Sequence, residues 1–478
     1  HKYIRYSKNG TPIHIKSKFI GNNSSLSNRN INKNILDYLD ETKDILKIEN
    51  PKNEFLIKNK NVDKFGLTHI KFEQKFKNIP VYGKEIIIHL NKDKSIKSLT
   101  GSFIPSPIDI DTKPSKTPND IKKRLPKIFN IKKDELIKEN GPLNPDVVIY
   151  KKNNKNFLAW TVSLYTSKID RWEIFIDDKT GEILDKIYIT CSIEHNHKKK
   201  EKFELDISNE SKPLGSGTDL NGFQRDINTY LLDNTYWLID TSKPMFTANS
   251  SPTYYNQSGA IITSNQENGE YYYLYDNDNE WTDPKAVSAH YNASLAYDYF
   301  YNVHGRNSID NNGTNIESFV NVKEKKRDPE TDEVIIDSVT GKPIYKDFDN
   351  AYWNGRAMFY GNGDLAFKPL SGGLDVVAHE LTHGIIQYTA SLIYQNESGA
   401  LNESFADIFG VMIDRDDWTL GEDIIKSLDY FPYGLMRSFE DPTLGNQPAH
   451  YDDIYNGEDD NGGVHINSGI PNKAFYLI

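Results

Sequence analysis

The sequence predicts an α+β chain of about three domains, on three observations. First, 478 residues, 37% hydrophobic and 12% aromatic, exceed one ordinary domain and suffice for real cores. Second, the N-terminal part alternates apolar and polar residues in short runs broken by turns, as antiparallel strands do. Third, two stretches near the C-terminus carry apolar residues at helical spacing, with His, Glu and Asp placed four apart.

The elements follow in order. Leu67–Ser102 (LTHIKFEQKFKNIPVYGKEIIIHLNKDKSIKSLTGS) reads as strands broken at Asn91-Lys92-Asp93. Asn119–Asn140 has periodic Ile and Leu among Lys and reads as a helix. Val147–Tyr150, Asn156–Tyr165, Trp172–Ile176 and Glu182–Ile189 read as strands, with an Asp177-Asp178-Lys179-Thr180-Gly181 turn before the last. Glu194–Gly217 is polar and reads as a solvated linker open to nicking; His195 and His197 lie in it at loose spacing. Residues 261–275 read as strands, Lys285–Val303 as a helix and Lys323–Asp349 as an exposed hairpin turning at Thr340-Gly341-Lys342-Pro343. The expected domains are 1–110, 111–193, a linker at 194–217, 218–375 and 376–478.

Composition narrows the function. The net charge is −11, with acids concentrated in the second half, which argues against nucleic acid as a partner and suits bound cations. Cys191 is the single cysteine, so no intramolecular disulfide forms; it reads as a small, partly buried residue. No apolar run of about 18 residues is present, so no membrane span is expected. The sequence opens at His1 rather than on a signal peptide, as a processed chain or a fragment would.

The chemistry concentrates in His379-Glu380-Leu381-Thr382-His383. On a helix, positions four apart share a face, so two imidazoles can share one tetrahedral cation, and Glu380 beside them can act as general base. Twenty residues on, Glu403 and Asp407 again share a helical face. Glu403 can be a third ligand, and Asp407 can accept the second ring N–H of a ligand histidine. Three protein ligands leave a fourth position open, the mark of a catalytic site.

These runs, HELTH, NESxAD and DDNGGVHINSGIPNKA, resemble the thermolysin family of gluzincin peptidases from about residue 215 to the end. Thr389 stands where a metzincin would need its third histidine. The resemblance implies zinc on His379, His383 and Glu403, Glu380 as catalytic glutamate, and Asn402 and Asp407 as partners of the ligands. It implies that Tyr394 and His465 meet the oxyanion, that Asp460 orients His465, and that Arg437 binds a substrate carbonyl. Asn350 and Ala351 match the strand edge that pairs with substrate backbone. Phe367, Leu370, Val376, Leu420 and Met436 match an apolar specificity pocket, which implies cleavage before large hydrophobic residues. Asp375, Asp414, Asp417 and Glu422 match a calcium site; Thr419 departs from the acid that a double site needs. Asp276, Asp278 and Glu280 resemble a further calcium loop less closely.

HIKFEQKFKNIPVYGKEIIIHLN and DRWEIFIDDKTGEIL resemble a fungalysin/thermolysin-type propeptide and a PepSY-like domain. The implied protein is a secreted monomeric precursor that acts on proteins or peptides and is inhibited by its own propeptide. The implied fold is a propeptide of antiparallel sheets with helices, then a thermolysin-like β-rich lobe and central zinc-bearing helices. Ile478 lies thirteen residues after His465, so the helical C-terminal domain is expected to be largely absent, leaving an apolar helix face from Ile470 to Ile478 exposed and the chain poorly stable and weakly active. An inactive truncated zymogen is therefore the alternative. A calcium-binding adhesion protein is a third reading, and its function would survive Glu380→Ala.

Overall fold

The computed structural model describes residues 3–7, 10–16, 31–189 apart from 64, 107, 130, 134, 135, 137–141, 154 and 167–170, and 213–478 apart from 248–257, 268, 269, 329, 330 and 332. Cys191, His195, His197 and most of the predicted linker lie outside the described residues. The chain divides into two compact units, residues 1–164 with 172–186, and 165–171 with 187–478.

The first unit is built on a ten-stranded sheet. Its path runs Tyr3–Tyr6, Pro12–Lys16, Ile96–Ser102, Ile79–Leu90, Asp146–Lys152, Lys155–Tyr165, Arg171–Asp177 and Ile183–Tyr188, with Thr68–Phe76 and then Phe55–Val62 branching from Ile79–Leu90. Thr68–Phe76 shows the predicted period of two, with Thr68, Ile70, Phe72 and Gln74 buried. Gln74 survives burial because its amide both donates to and accepts from the Ile104 backbone, at 2.7 and 2.8 Å. The predicted break at Asn91 is a turn closed from Asn91 N to Ser95 O at 2.9 Å.

The predicted helix at 119–140 forms over Pro118–Ile128. A reciprocal Thr117–Asp120 capping box starts it, and Ile121 and Leu125 seat it against Trp160, Val162, Ile174 and Ile176.

The second unit holds a seven-stranded mixed sheet along Ile239–Asp240, Ile261–Glu267, Ile316–Lys325, Met358–Gly361 and Ala351–Trp353, with Glu270–Tyr273 and Tyr345–Asp347 attached. Against it packs the helix Pro284–His304, which contains the predicted 285–303. Asp283 caps its start by accepting from Lys285 N at 3.0 Å, and Gly305 ends it at φ 63°. The predicted hairpin at 323–349 is present. Tyr345–Asp347 pairs with Lys323–Lys325, and bridges at Arg327–Val334 and Ile336–Pro343 extend it.

The expected loss of the helical C-terminal domain is corrected. Helices Asn396–Ile413 and Gly469–Tyr476 are formed, Asp459–Asn467 is a segment broken by a left-handed kink at Asp460–Gly463, and 3-10 turns stand at Glu422–Ile424, Pro442–Gly445 and Tyr451–Asp453. Of the apolar face expected to be exposed, Leu477 and Ile478 are exposed, but Phe475 and Tyr476 are not bare: Trp418 covers them at 6.1 and 5.3 Å, and Phe439 lies 6.5 Å from Phe475. Much of this region precedes His465 and runs through loops and one-turn helices, which leave no periodic signal.

Candidate metal centre and active site

The HELTH motif lies in the middle of the helix Leu374–Gln387, in which every residue from Asp375 to Ile386 is buried. The helical period turns His379 and His383 to one side, and their Nε2 atoms stand 2.9 Å apart. The helix Asn396–Ile413 brings Glu403 to the same point. Its Oε1 is 3.4 Å from His383 Nε2 and its Oε2 3.6 Å from His379 Nε2.

The outer ring nitrogens face oxygens. His383 Nδ1 meets Asn402 Oδ1 at 2.9 Å, and His379 Nδ1 lies 2.9 Å from Asp407 Oδ1, as an ion pair rather than an aligned hydrogen bond. With protons held at Nδ1, both Nε2 atoms present lone pairs to each other at a distance that needs a proton or a cation between them. Glu403 Oε2 accepts no hydrogen bond although it is buried. Two imidazoles and a carboxylate, each with an outer partner, fit zinc by donor chemistry. Among the described residues this is one of two clusters able to hold a metal ion.

The charges are balanced within the site. Burial opposes ionisation of Glu403, yet His465, His383, His379 and Arg437 hold its carboxyl well below the usual range. Burial and the neighbouring His379 bring His383 down to about 4, so its imidazole is neutral, as a ligand's must be. Glu380 is pushed up to about 7 by burial, and its Oε2 has no hydrogen-bond partner. A carboxyl poised there is suited to exchanging protons near neutral pH.

A second group of side chains faces Glu403. Tyr394 donates its hydroxyl to Glu403 Oε1 and lies 3.1 Å from His465 Nε2. Asp460 Oδ1 holds His465 Nδ1 at 2.6 Å, and Asp460 Oδ2 accepts the His465 backbone N–H at 2.7 Å. This clasp depends on four successive left-handed residues, Asp460, Asn461, Gly462 and Gly463, with φ of 54, 50, 84 and 77°. Arg437 is buried and pairs with Asp407 Oδ1, its other nitrogen 3.4 Å from Glu403 Oε2. Asn472, which lies in the DDNGGVHINSGIPNKA run but has no role assigned from the sequence, donates to Asp407 Oδ2 at 2.8 Å and completes that carboxylate's partners.

Among the described residues, Ala351–Trp353 is the end strand of its sheet, paired to Met358–Gly361, with Asn350 just before it. Phe367, Leu370 and Val376 lie in the main apolar cluster, Met436 packs against it, and Leu420 belongs to a neighbouring cluster with Val411 and Phe439.

The acids predicted for calcium are only partly gathered. Asp414 and Glu422 converge, but with Asp423 rather than Asp417, and Asp423 carried no signal in the sequence. Asp417 instead accepts from Thr419 Oγ1 at 2.7 Å. Asp375 is buried and is raised to about 8 by burial, Glu422 and Asp414, a repulsion that a cation would relieve. Asp276 is occupied as a turn cap, accepting from Asp278 N and Asn279 N, both at 2.8 Å.

Known proteins resemble this chain in sequence. The thermolysin metallopeptidase catalytic domain matches residues 214–387, the thermolysin metallopeptidase alpha-helical domain 390–478, and the fungalysin/thermolysin propeptide motif 53–103. The second match accounts for the helices that the sequence reading had expected to be missing. Bacillolysin of Brevibacillus brevis is 36% identical over 457 residues, covering 92% of this chain and 75% of that protein. Neutral protease B of Bacillus subtilis is 32% identical, with 93% and 76% covered. Thermolysin of Alicyclobacillus acidocaldarius is 34% identical, with 92% and 76% covered.

Proposed function

This chain belongs to the thermolysin family of zinc metallopeptidases, and from that premise we propose that it is the precursor of a secreted endopeptidase that cleaves peptide bonds on the N-terminal side of large hydrophobic residues. The observation that carries the proposal is the convergence of His379, His383 and Glu403 on one buried point, with Glu380, whose Oε2 has no hydrogen-bond partner, beside it. These three residues would hold the zinc. When bound, zinc supplies a Lewis acid that makes water acidic near neutral pH and polarises a carbonyl.

The chain's own residues do the rest. Glu380 takes a proton from the attacking water at its free Oε2 and delivers it to the leaving amine. The Tyr394 hydroxyl and His465 Nε2, already side by side, turn to the oxyanion; one such donor is worth about 3 kcal/mol. Asp460 keeps His465 aimed by holding its Nδ1. Asp407 and Asn402 fix the two ligand rings, and Arg437, anchored on Asp407, presents charge to a substrate carbonyl. The free edge at Asn350 and Ala351 pairs with the substrate backbone. Phe367, Leu370, Val376, Leu420 and Met436 receive the side chain after the scissile bond.

Residues 1–193 act as propeptide, in a domain around the motif at 53–103 and a PepSY-like domain from 111. They inhibit the enzyme until the chain is cut near 194–217. Asp375, Asp414 and Glu422 would hold calcium. The inactive-zymogen alternative rested on a missing helical domain, and nothing now favours it.

Hydrolysis of peptide libraries by chelated and zinc-reloaded protein, read by mass spectrometry, tests the proposal. Zinc-dependent cuts before Leu, Ile, Phe or Val are expected. Cuts that ignore zinc, or that ignore the following residue, contradict it.

A further inference from the structure

Asp349 stands immediately before the proposed substrate-pairing edge, and its carboxylate grips a loop elsewhere in the chain. Oδ1 accepts the backbone N–H groups of Asp364 and Phe367 at 2.7 and 3.1 Å; Oδ2 accepts those of Leu365 and Ala366 at 3.0 and 2.8 Å. Four backbone donors on one carboxylate hold four consecutive residues on a single point. Burial alone would raise its pKa, but these four N–H groups hold the carboxyl below its usual range.

Both ends of this grip lead to the cleft. On Asp349's own segment, Asn350 O accepts Gly361 N at 3.0 Å and Phe348 O accepts Gly363 N at 3.2 Å. The fit is close: a Cβ at Gly361 would meet Phe348 O at 1.9 Å. On the gripped loop, Lys426 N donates to Ala366 O at 2.9 Å and Lys368 N to Ile424 O at 2.8 Å, and the Phe367 ring lies 5.1 Å from Phe431. The loop is thus tied to the 424–426 segment on one side and to Asp349 on the other, with Phe367 between.

We propose that Asp349 is a positioning residue for specificity, which sets the spacing between the substrate-pairing edge at Asn350–Ala351 and the Phe367 wall of the pocket. It touches no reacting atom and acts through the backbone of residues 364–367. The inference rests on the endopeptidase reading given above.

The test uses protein produced as the full chain, then matured and zinc-loaded, with three fluorogenic peptides identical except for Leu, Phe or Ala after the scissile bond. Wild type cleaves the Leu and Phe peptides; if it cleaves none, the endopeptidase reading itself fails. In Asp349→Asn, two acceptor positions become a donor facing N–H groups. The ratio of kcat/KM for Leu over Ala is expected to fall about tenfold, mostly through KM, with zinc content unchanged. Combined with Phe367→Leu, the loss of selectivity should be less than additive, because the two act at one wall. An equal loss on all three peptides, or an unchanged ratio, overturns the proposal. If Asp349→Asn melts before assay, Asp349→Glu keeps the charge and displaces it by one methylene. A reduced ratio there supports the proposal and an unchanged ratio overturns it.

Discussion

At the scale of single residues, the site is a set of assigned protons. His383 and His379 each turn Nδ1 to an oxygen, so each has one nitrogen left for a cation. His465 turns Nδ1 to Asp460, leaving Nε2 beside the Tyr394 hydroxyl. Replacing His465 by Phe removes one donor and keeps the bulk. Steady-state kinetics should show kcat down about 10²–10³-fold with KM little changed; a loss confined to KM would assign His465 to substrate binding instead. The ligand pattern was legible in the sequence because a helix imposes fixed spacing on His379, His383 and Glu380. The role of Asn472 was not, although it lies in the DDNGGVHINSGIPNKA run, since 65 residues separate it from Asp407 and only folding joins them. Asp423 was hidden for a related reason: one acid among several neighbours carries no mark of which will turn inward.

At the scale of elements, long periodic segments were readable and compact irregular ones were not. The helix Pro284–His304 announced itself by spacing and by Asp283 and Gly305 at its ends. In the C-terminal region the motifs were readable, but the expected loss of its helical domain was judged from the distance between His465 and Ile478; the packing that orders it, such as Trp418 against Tyr476, comes from tertiary contacts rather than from periodicity. Helix Pro284–His304 also carries a pH-sensitive contact. His290 is buried between Thr263 Oγ1 and the Asn228 carbonyl, each at 2.9 Å, and burial depresses its pKa. The folded state therefore keeps it neutral, while the unfolded chain takes up a proton below about pH 6.5. Its contribution is present above that pH and is lost as the pH falls below it. Thermal melts should show the Tm of wild type falling more steeply than that of His290→Gln between pH 6.5 and about 5. Parallel curves would show that His290 does not titrate on unfolding.

At the scale of the whole molecule, a basic, strand-rich first part precedes an acidic enzyme whose own charges need cations. Asp414, Glu422 and Asp423 converge, and Asp375 is buried beside them. Removing calcium should lower the Tm by several degrees, because carboxylates held together without a cation repel; calcium should restore it and magnesium should not, and a Tm indifferent to chelation would remove calcium from the account. The central claim is that Glu380 moves the proton at a zinc site built by His379, His383 and Glu403. Glu380→Gln keeps size and shape while removing the base, so the measurement is zinc content together with peptide turnover in the two proteins. The account predicts one zinc per chain in both and turnover reduced at least about 10³-fold in the variant. Turnover retained by a zinc-loaded Glu380→Gln protein would contradict it.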